Sequence, residues 1–220
     1  MSKILISGYY GFANAGDEAM LTAIIESLRQ VEKNVELTVL SGNPEDTAAK
    51  HQVCSVYRFN PLGIIQAMKD SELIISGGGS LLQDVTSKRS LLYYLSIIGL
   101  GKFFGKKVML FAQGIGPIRA KWARKLTSLV CNEADLITVR DSESAAELIE
   151  MGVKPEKITV TADSVLSLNP VTKECGQYLL QEAGVDLTKP VIGISVRPWS
   201  GDSQCFQVLA EAASKLQQRY

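Results

Sequence analysis

Short apolar segments alternate with longer amphipathic segments from the start of the chain to about residue 168. The apolar segments lie at residues 4–6, 35–40, 53–57, 73–76, 108–112, 136–139 and 158–161. Their uniformly apolar character is typical of strands buried on both faces, and the segments between them have the spacing of helices. This alternation predicts an α/β fold, a Rossmann-like parallel sheet with helices on both faces.

The first predicted strand leads into a loop punctuated by Gly8, Gly11 and Gly16, and a helix with an acidic start at Asp17 follows. A helix that begins in this way points backbone N–H groups and the positive end of its dipole at one place, which suits an anionic ligand. The loop has neither the GxGxxG pattern of dinucleotide sites nor the lysine of a phosphate loop. An alternative interpretation is that Asp17 only caps the helix.

Glycine and polar residues also follow the later strands, and we predict that they bind substrate. The carboxyl ends of parallel strands meet at one edge of the sheet, where ligands of such folds bind. Glycine permits a ligand to approach the backbone closely, although turns of this kind favour glycine in any case. These residues are Gly77, Gly78 and Gly79, then Gln113 and Gly114, then Ser142, and finally Asp163, together with Gly16 of the first loop. An alternative interpretation is that Asp163 and Ser164 form a buried hydrogen-bonding pair that closes the edge of the domain.

The pattern changes near Pro170. Residues 169–190 read as a linker, residues 191–196 predict a new strand with Arg197 at its carboxyl end, and residues 203–219 predict an amphipathic helix. We therefore expect a first Rossmann-like domain over 1–168, a linker over 169–190 and the beginning of a second Rossmann-like domain over 191–220. One strand and one helix cannot bury a core, so we expect a truncated form of a longer protein.

Composition excludes several classes of partner. Lys plus Arg and Asp plus Glu both number 23, so no net field attracts nucleic acid. The four cysteines have no CxxC spacing, so we predict neither a metal site nor a disulfide framework. The first residues, MSKILIS, contain no apolar segment long enough for a signal peptide, which predicts a cytoplasmic protein.

Residues 91–104, LLYYLSIIGLGKFF, are the most apolar stretch of the chain and carry lysines at and after their end. They are shorter than the roughly 20 apolar residues of a membrane span, which favours a buried or partly exposed helix. The alternative is a helix lying on the inner face of the membrane, where a lipid-linked substrate would be presented.

Five motifs together resemble the polysaccharide pyruvyl transferase family, and most closely its CsaB-type enzymes of bacterial cell-wall polymer assembly. They are GDEA at 16–19, SGGGSLLQD at 76–84, QGIGP at 113–117, VRDSES at 139–144 and TADSV at 161–165. The resemblance implies two Rossmann-like domains arranged as in GT-B glycosyltransferases, of which residues 1–168 are the first, with the active site in the cleft between them.

The resemblance also implies an activity, namely transfer of the enolpyruvyl group of phosphoenolpyruvate to a sugar, which closes into a pyruvate ketal. For the CsaB type, the implied acceptor is N-acetylmannosamine of a lipid-linked secondary cell-wall polymer precursor, and surface-layer proteins grip the ketal carboxylate. Phosphoenolpyruvate is then the donor substrate, and neither a cofactor nor a metal is expected. The oligomeric state is not predicted.

Two residues match catalytic positions of the family. Phosphoenolpyruvate carries two anionic groups and needs a fixed guanidinium, and Arg140 matches the family's essential arginine. A purely structural role for Arg140 would need an acidic partner such as Asp141 or Glu143. Asp17 matches an acidic family residue and would orient or deprotonate the acceptor hydroxyl, because a helix N-terminus keeps a carboxylate ionised. Arg197 is a weaker candidate for anion binding.

The proton donor is not assigned within this sequence. The only histidine, His51, has no motif around it and is expected at the surface. The resemblance places the family's important histidine and lysine beyond Tyr220, so the 220-residue chain alone is expected to be inactive. Two rival functions are a GT-B nucleotide-sugar glycosyltransferase and a non-catalytic module that binds anionic glycans.

Overall fold

The computed structural model describes residues 2–196 and 203–219, except for the side chains of residues 203, 204, 218 and 219. Seven parallel strands form one sheet in the order β3-β2-β1-β4-β5-β6-β7. The strands are β1 (Lys3–Tyr10), β2 (Glu36–Ser41), β3 (Cys54–Tyr57), β4 (Leu73–Gly77), β5 (Lys107–Gln113), β6 (Leu136–Val139) and β7 (Ile158–Val160).

Helices connect the strands and continue after them. They are α1 (Ala15–Val31), α2 (Pro44–His51), α3 (Pro61–Asp70), α4 (Lys88–Phe103), α5 (Lys121–Glu133), α6 (Ser142–Glu150), α7 (Lys173–Glu182) and α8 (Ser203–Arg219). Short 3-10 turns occupy Pro155–Lys157 and Ser164–Ser167. Each of the seven predicted strands is present, so the strand predictions up to residue 161 are confirmed.

Both faces of the sheet are covered, as predicted. Alternate residues of a strand point to opposite faces, and β1 shows this clearly. Ile6 lies in a cluster with Ile24 of α1, whereas Leu5 lies in the cluster that contains Leu95 of α4. The cluster that contains Leu5 also includes buried residues of α3, α5 and α6. The α/β, Rossmann-like fold class is therefore confirmed.

The apolar segment at 91–104 forms most of α4, whose buried side chains pack against the sheet. Ser87 caps the helix by accepting a hydrogen bond from the Ser90 N–H at 3.4 Å. Gly101 lies so close to the sheet that a Cβ atom there would be 2.7 Å from Cδ1 of Ile74. Within 2–196 and 203–219, no helix combines the length and apolarity needed to span a membrane.

Strand β5 contains an irregularity just before the predicted site. Its register with β6 shifts between Leu110 and Gln113, and Ala112 has a φ of +48°. The Thr138 hydroxyl bridges the irregularity, because it accepts from the Ala112 N–H at 2.7 Å and donates to the Leu110 carbonyl at 3.2 Å. Such a bulge re-aims the residues that follow it.

The chain divides into two compact units between Leu168 and Asn169. In the second unit, Thr172 caps α7, and Gly184 follows the helix with a φ of +80°. Residues 191–196 are exposed and do not form a strand, so that prediction is wrong. A strand needs a neighbour for its backbone hydrogen bonds, and the described part of this unit contains none. Arg197 lies outside the described residues.

Candidate functional site

The site candidates of the first unit lie at the carboxyl edge of the sheet. Successive strands run outward in one direction from β1 to β3 and in the other from β4 to β7, so the order reverses between β1 and β4. Ligands of open α/β sheets bind at such a reversal point. The loops after β1 and β4 flank it, and the loops after β5 and β6 lie next along the edge.

Asn14, rather than Asp17, caps helix α1. Its side-chain oxygen accepts from the Gly16 N–H at 3.1 Å and from the Asp17 N–H at 3.5 Å. The interpretation of Asp17 as the cap is therefore wrong, and Gly16 contributes its N–H to the cap. Asp17 lies in the first turn of the helix, where the dipole stabilises a carboxylate.

The expectation that His51 is a solvated surface residue is wrong. Its side chain is only 9% exposed, and its Nε2 lies 3.3 Å from Oε2 of Glu18. The other Glu18 oxygen accepts from the Gly11 N–H at 2.8 Å, which fastens the β1–α1 loop to the helix. The Glu18–His51 contact joins residues 33 positions apart, and local sequence patterns do not reveal contacts of that range.

The triple glycine after β4 lies beside the start of α1. Gly78 and Gly79 have φ values of +52° and +78°, which side chains rarely adopt. A Cβ atom on Gly79 would be 3.2 Å from Oδ1 of Asp17. Gly77 is closely packed, because a Cβ atom there would lie 2.8 Å from Ile24, and its carbonyl accepts from the Tyr10 hydroxyl at 3.1 Å.

Arg140 is held by three neighbours at the end of β6. Its Nη1 lies 3.1 Å from the Asp163 carboxylate, its Nε lies 3.4 Å from the Asp141 carboxylate, and its Nη2 donates to Ser80 Oγ at 3.2 Å. Its side chain is 33% exposed, so the guanidinium is fixed but accessible. The acidic partner expected for a structural role is present, together with a second one from another loop.

Gly114 connects the Arg140 cluster to the triple glycine. Its N–H donates to the Gly79 carbonyl at 3.0 Å. A Cβ atom on Gly114 would be 2.7 Å from Ser80 Oγ and 2.8 Å from Cζ of Arg140. Three loops therefore meet here, and Gly79 and Ser80 lie between Asp17 on one side and Arg140 on the other.

The electrostatics of this cluster favour the ionised form of Asp141. Hydrogen bonds from Ser144 lower the pKa of Asp141, and the positive charge of Arg140 adds to the effect. The Asp141 carboxylate also caps α6 by accepting from the Ser144 N–H at 2.7 Å. Two carboxylates thus orient one guanidinium, which leaves Nη2 directed at Ser80.

Gln113 and Ser142 occupy different environments from each other. Gln113 is fully buried, and its Nε2 donates to the carbonyl and the hydroxyl of Ser76 at 3.0 and 3.2 Å. Its Oε1 is buried with no hydrogen-bond partner in the described part of the chain. Ser142 is exposed at the start of α6, and its hydroxyl lies 3.5 Å from a carboxylate oxygen of Glu143.

Ser144 and Asp84 end the motifs at 139–144 and 76–84 and support the site, although neither is among the predicted binding residues. The Ser144 hydroxyl accepts from the Ile115 N–H at 2.9 Å and so ties α6 to the loop after β5. Asp84 accepts from the N–H groups of Arg119 and Ala120, which lowers its pKa and anchors the start of α5. The Asp141 to Ser144 spacing is a recognisable cap signal, whereas the partners of Asp84 are distant in sequence.

A family model described as polysaccharide pyruvyl transferase matches residues 14–201. This range contains the β1–α1 helix start, the triple glycine, the loop after β5 and the Arg140 cluster. No curated protein sequence matches the chain.

Solved structures share the fold at low sequence identity. HepE from Anabaena in complex with UDP and glucose has a TM-score of 0.53 at 13% identity, covering 84% of this chain and 50% of that chain. A glycosyltransferase from Rickettsia africae has a TM-score of 0.58 at 14% identity, covering 99% of this chain and 58% of that one. The GT-B-like fold class is thereby confirmed, and the chain spans about half the length of the first of these relatives.

Proposed function

Because the chain belongs to the polysaccharide pyruvyl transferase family, we propose that it transfers the pyruvyl group of phosphoenolpyruvate to a saccharide. The acceptor that we propose is an N-acetylmannosamine unit of a lipid-linked cell-wall polymer precursor, as in the CsaB-type enzymes that the sequence resembles. The products are a pyruvate ketal and inorganic phosphate. Phosphoenolpyruvate itself is the donor, so the proposed reaction uses no cofactor.

The observation that carries this proposal is the fixed guanidinium of Arg140. Phosphoenolpyruvate presents a carboxylate and a phosphate, and guanidinium groups bind such oxyanions through paired N–H donors. Asp141 and Asp163 set the orientation of Arg140, and Gly114 leaves the room that it occupies. A charged group that is oriented before substrate arrives loses little conformational freedom on binding.

Asp17 is proposed to act on the acceptor. In the reaction, the methylene carbon of the donor gains a proton, a sugar oxygen bonds to the adjacent carbon, phosphate leaves, and a second hydroxyl closes the ring. Each attacking hydroxyl must lose its proton, which calls for a base. The position of Asp17 in the first turn of α1 favours its ionised form, and the absence of a side chain on Gly79 leaves space beside it.

The proton for the methylene carbon is proposed to come from the second domain, as the family resemblance implies. Gly77, Gly78, Gly79, Gln113, Gly114, Ser142, Asp163 and Arg197 stay predictions as substrate-binding residues, together with Gly16. Because the proposed acceptor is lipid-linked, we also propose that the protein works in the cytoplasm at the inner face of the membrane.

A nucleotide-sugar glycosyltransferase is the second candidate function. It is favoured by the likeness to HepE, whose structure contains UDP and glucose. One fold supports many chemistries, so this likeness does not decide the reaction. Binding of a UDP-sugar in preference to phosphoenolpyruvate would favour this candidate, as would transfer without phosphate release from phosphoenolpyruvate.

Phosphoenolpyruvate binding by Arg140 variants tests the proposed donor site. We expect Arg140→Ala, in the protein with a complete second domain, to weaken binding about tenfold to hundredfold, because hydrogen bonds to charged groups contribute about 1.5–3 kcal/mol. Arg140→Lys should recover part of the loss. Isothermal titration calorimetry measures the affinity.

The matched control is Arg124→Ala, which also removes an arginine with two carboxylate partners, Glu147 and Glu150. It should bind phosphoenolpyruvate normally. Unchanged binding by a folded Arg140→Ala variant would refute the assignment of the donor site.

A further inference from the structure

An exposed aromatic patch lies at the carboxyl edge of the sheet, near β1 and β3. Arg140 follows β6, which lies on the other side of β1 in the strand order. The patch comprises Tyr9, Phe12, Tyr57 and Phe59, which are 40%, 42%, 48% and 62% exposed. Tyr9 and Phe12 stack with their centroids 4.3 Å apart and their planes 13° apart. Clustered exposed aromatic side chains commonly mark a binding surface.

Arg58 lies beneath this patch and is only 5% exposed. Its guanidinium carbon is 4.4 Å from the ring centroid of Tyr93, 5.2 Å from that of Phe59 and 5.3 Å from that of Phe12. Tyr94 and Tyr9 complete this aromatic cage at 5.4 and 6.0 Å. Five rings thus surround one cation.

The charge of Arg58 has no carboxylate partner among the ion pairs of the described residues. Nη2 lies 3.4 Å from the Tyr94 hydroxyl, whereas Nε and Nη1 are buried with no hydrogen-bond partner in residues 2–196 and 203–219. Burying an unpaired charge is costly, and attraction to ring faces offsets that cost. Arg58 therefore binds the rings together, including the three that face solvent, Tyr9, Phe12 and Phe59.

The backbone also holds the patch in place. A Cβ atom on Gly11 would be 2.1 Å from Ser41 Oγ, so the loop lies directly against the end of β2, and Gly11 has a φ of +77°. The Phe12 ring rests on Gly42, where a Cβ atom would be 2.6 Å from Cζ of the ring. The Gly42 N–H donates to the Tyr10 carbonyl at 2.9 Å. The stacked rings are consequently presented on a fixed loop.

The β1–α1 connection joins the patch to the proposed acceptor base, because the carboxylate of Glu18, next to Asp17, accepts from the N–H of Gly11, next to Phe12, at 2.8 Å. The charge of Asp17 reaches two tyrosines of this region. Burial raises the pKa of Tyr10, and Asp17 raises it further. The pKa of Tyr94 is raised by burial. The charge of Arg58 opposes this shift, and the charge of Asp17 adds to it. Asp17 and the stacked rings are also close in sequence, because Tyr9 lies near the end of β1, Phe12 lies in the loop that follows and Asp17 lies in the first turn of α1.

We propose that the Tyr9–Phe12 stack is a saccharide subsite on which a pyranose ring of the acceptor lies, and that Arg58 is the positioning residue that fixes it. The inference rests on the proposed function, because a family that modifies polysaccharides must hold a sugar beside its base. A pyranose has a face of C–H groups that packs on an aromatic ring and an edge of hydroxyls that stays hydrated. The patch offers such rings and no exposed charge.

Sugar binding without the donor tests this subsite separately from pyruvyl transfer. The probe is the methyl glycoside of N-acetylmannosamine, and saturation-transfer difference NMR reports its contact with the protein. We expect Phe12→Ala and Tyr9→Ala each to weaken binding about threefold to tenfold, and Phe12→Tyr to retain it. Both residues are half-exposed, so their truncation should leave the fold intact.

The matched control is Phe103→Ala, which removes an 81% exposed aromatic side chain at the end of α4 and should bind the probe normally. Arg58→Met should raise the acceptor KM of the active protein several-fold with little change in the KM for phosphoenolpyruvate, and Arg58→Lys should partly rescue it. Equal probe binding by Phe12→Ala, Tyr9→Ala and wild type would overturn the subsite. If the wild-type protein binds the probe but transfers no pyruvyl group to the acceptor, that result would instead count against the proposed function.

Discussion

At the scale of single residues, glycines shape the candidate site as much as its charged side chains do, because they leave the space that those side chains occupy. Gly79 leaves room beside the Asp17 carboxylate, and Gly114 leaves room for the Arg140 guanidinium and for Ser80. Gly79 also has a φ of +78°, whereas Gly114 is constrained by space alone. A substitution at Gly114 therefore tests the space without imposing backbone strain.

Gly114→Ala should displace Arg140 from Ser80. The added Cβ would lie 2.8 Å from Cζ of Arg140, which is closer than real contacts allow, and the flexible arginine is the group that can move. We expect phosphoenolpyruvate affinity to fall about tenfold, with a change in the free energy of unfolding of about 1 kcal/mol or less.

Gly99→Ala in α4 is the matched control, because a Cβ atom there would have no neighbour within 4 Å. It should leave donor affinity unchanged and stabilise the helix by up to about 1 kcal/mol. Titration calorimetry and urea unfolding of the two variants separate the effects. Normal donor binding by Gly114→Ala would contradict the assigned packing of Arg140.

At the scale of elements, periodicity predicted the structure wherever the partners were other parts of the same sheet. Every strand up to residue 161 and the helices between them follow from apolar spacing, because burial within the sheet requires that spacing. Residues 191–196 have the same apolar pattern, but the described part of the second unit contains no strand beside them. Pattern alone does not reveal whether a partner exists.

Contacts between distant elements explain most of what the sequence did not predict. Asn14 and Asp17 both suit a helix start, and only the geometry selects Asn14 as the cap. The Glu18–His51 pair joins helices α1 and α2, and the cage around Arg58 joins residues from β1, α4 and the loops after β1 and β3. Arg140 and Asp17 were identifiable as candidates from their motifs, but the contacts of Arg140 with Ser80 and Asp163 were not.

The opposite edge of the sheet contains a carboxylate that links three elements and makes stability depend on pH. Burial disfavours the ionised form of Asp135, but hydrogen bonds from Lys102, the Val108 N–H and Lys107 outweigh it and lower its pKa to about 2. The unfolded pKa is near 3.8, so this contribution is fully present above that pH and is lost as the pH falls through about 2.

Asp135→Asn should therefore lower the free energy of unfolding at pH 7 and reduce its dependence on pH between about 5 and 2. Urea unfolding across this range measures both effects. Asp70→Asn is the control, because Asp70 interacts with the neutral side chain of Gln66. Identical pH profiles for Asp135→Asn and wild type would contradict the assigned role of Asp135.

At the scale of the whole molecule, the family match and the fold point to the same edge of the sheet. The family match covers residues 14–201, and the sheet order places the matched loops at one edge. The chain divides into two compact units and spans about half the length of HepE from Anabaena. The proposed reaction is a property of the whole protein, so the full-length protein is the one to assay.

Transfer of a pyruvyl group from phosphoenolpyruvate to a saccharide is the activity that we propose for this protein. The most direct measurement is phosphate release from phosphoenolpyruvate with and without a lipid-linked acetylmannosamine acceptor, with mass spectrometry of the acceptor alongside. We predict acceptor-dependent phosphate release together with the mass of a pyruvate ketal on the sugar, both lost in Arg140→Ala. If phosphate is not released with several such acceptors, and a sugar is transferred from a UDP-sugar instead, the proposed pyruvyl transfer is contradicted.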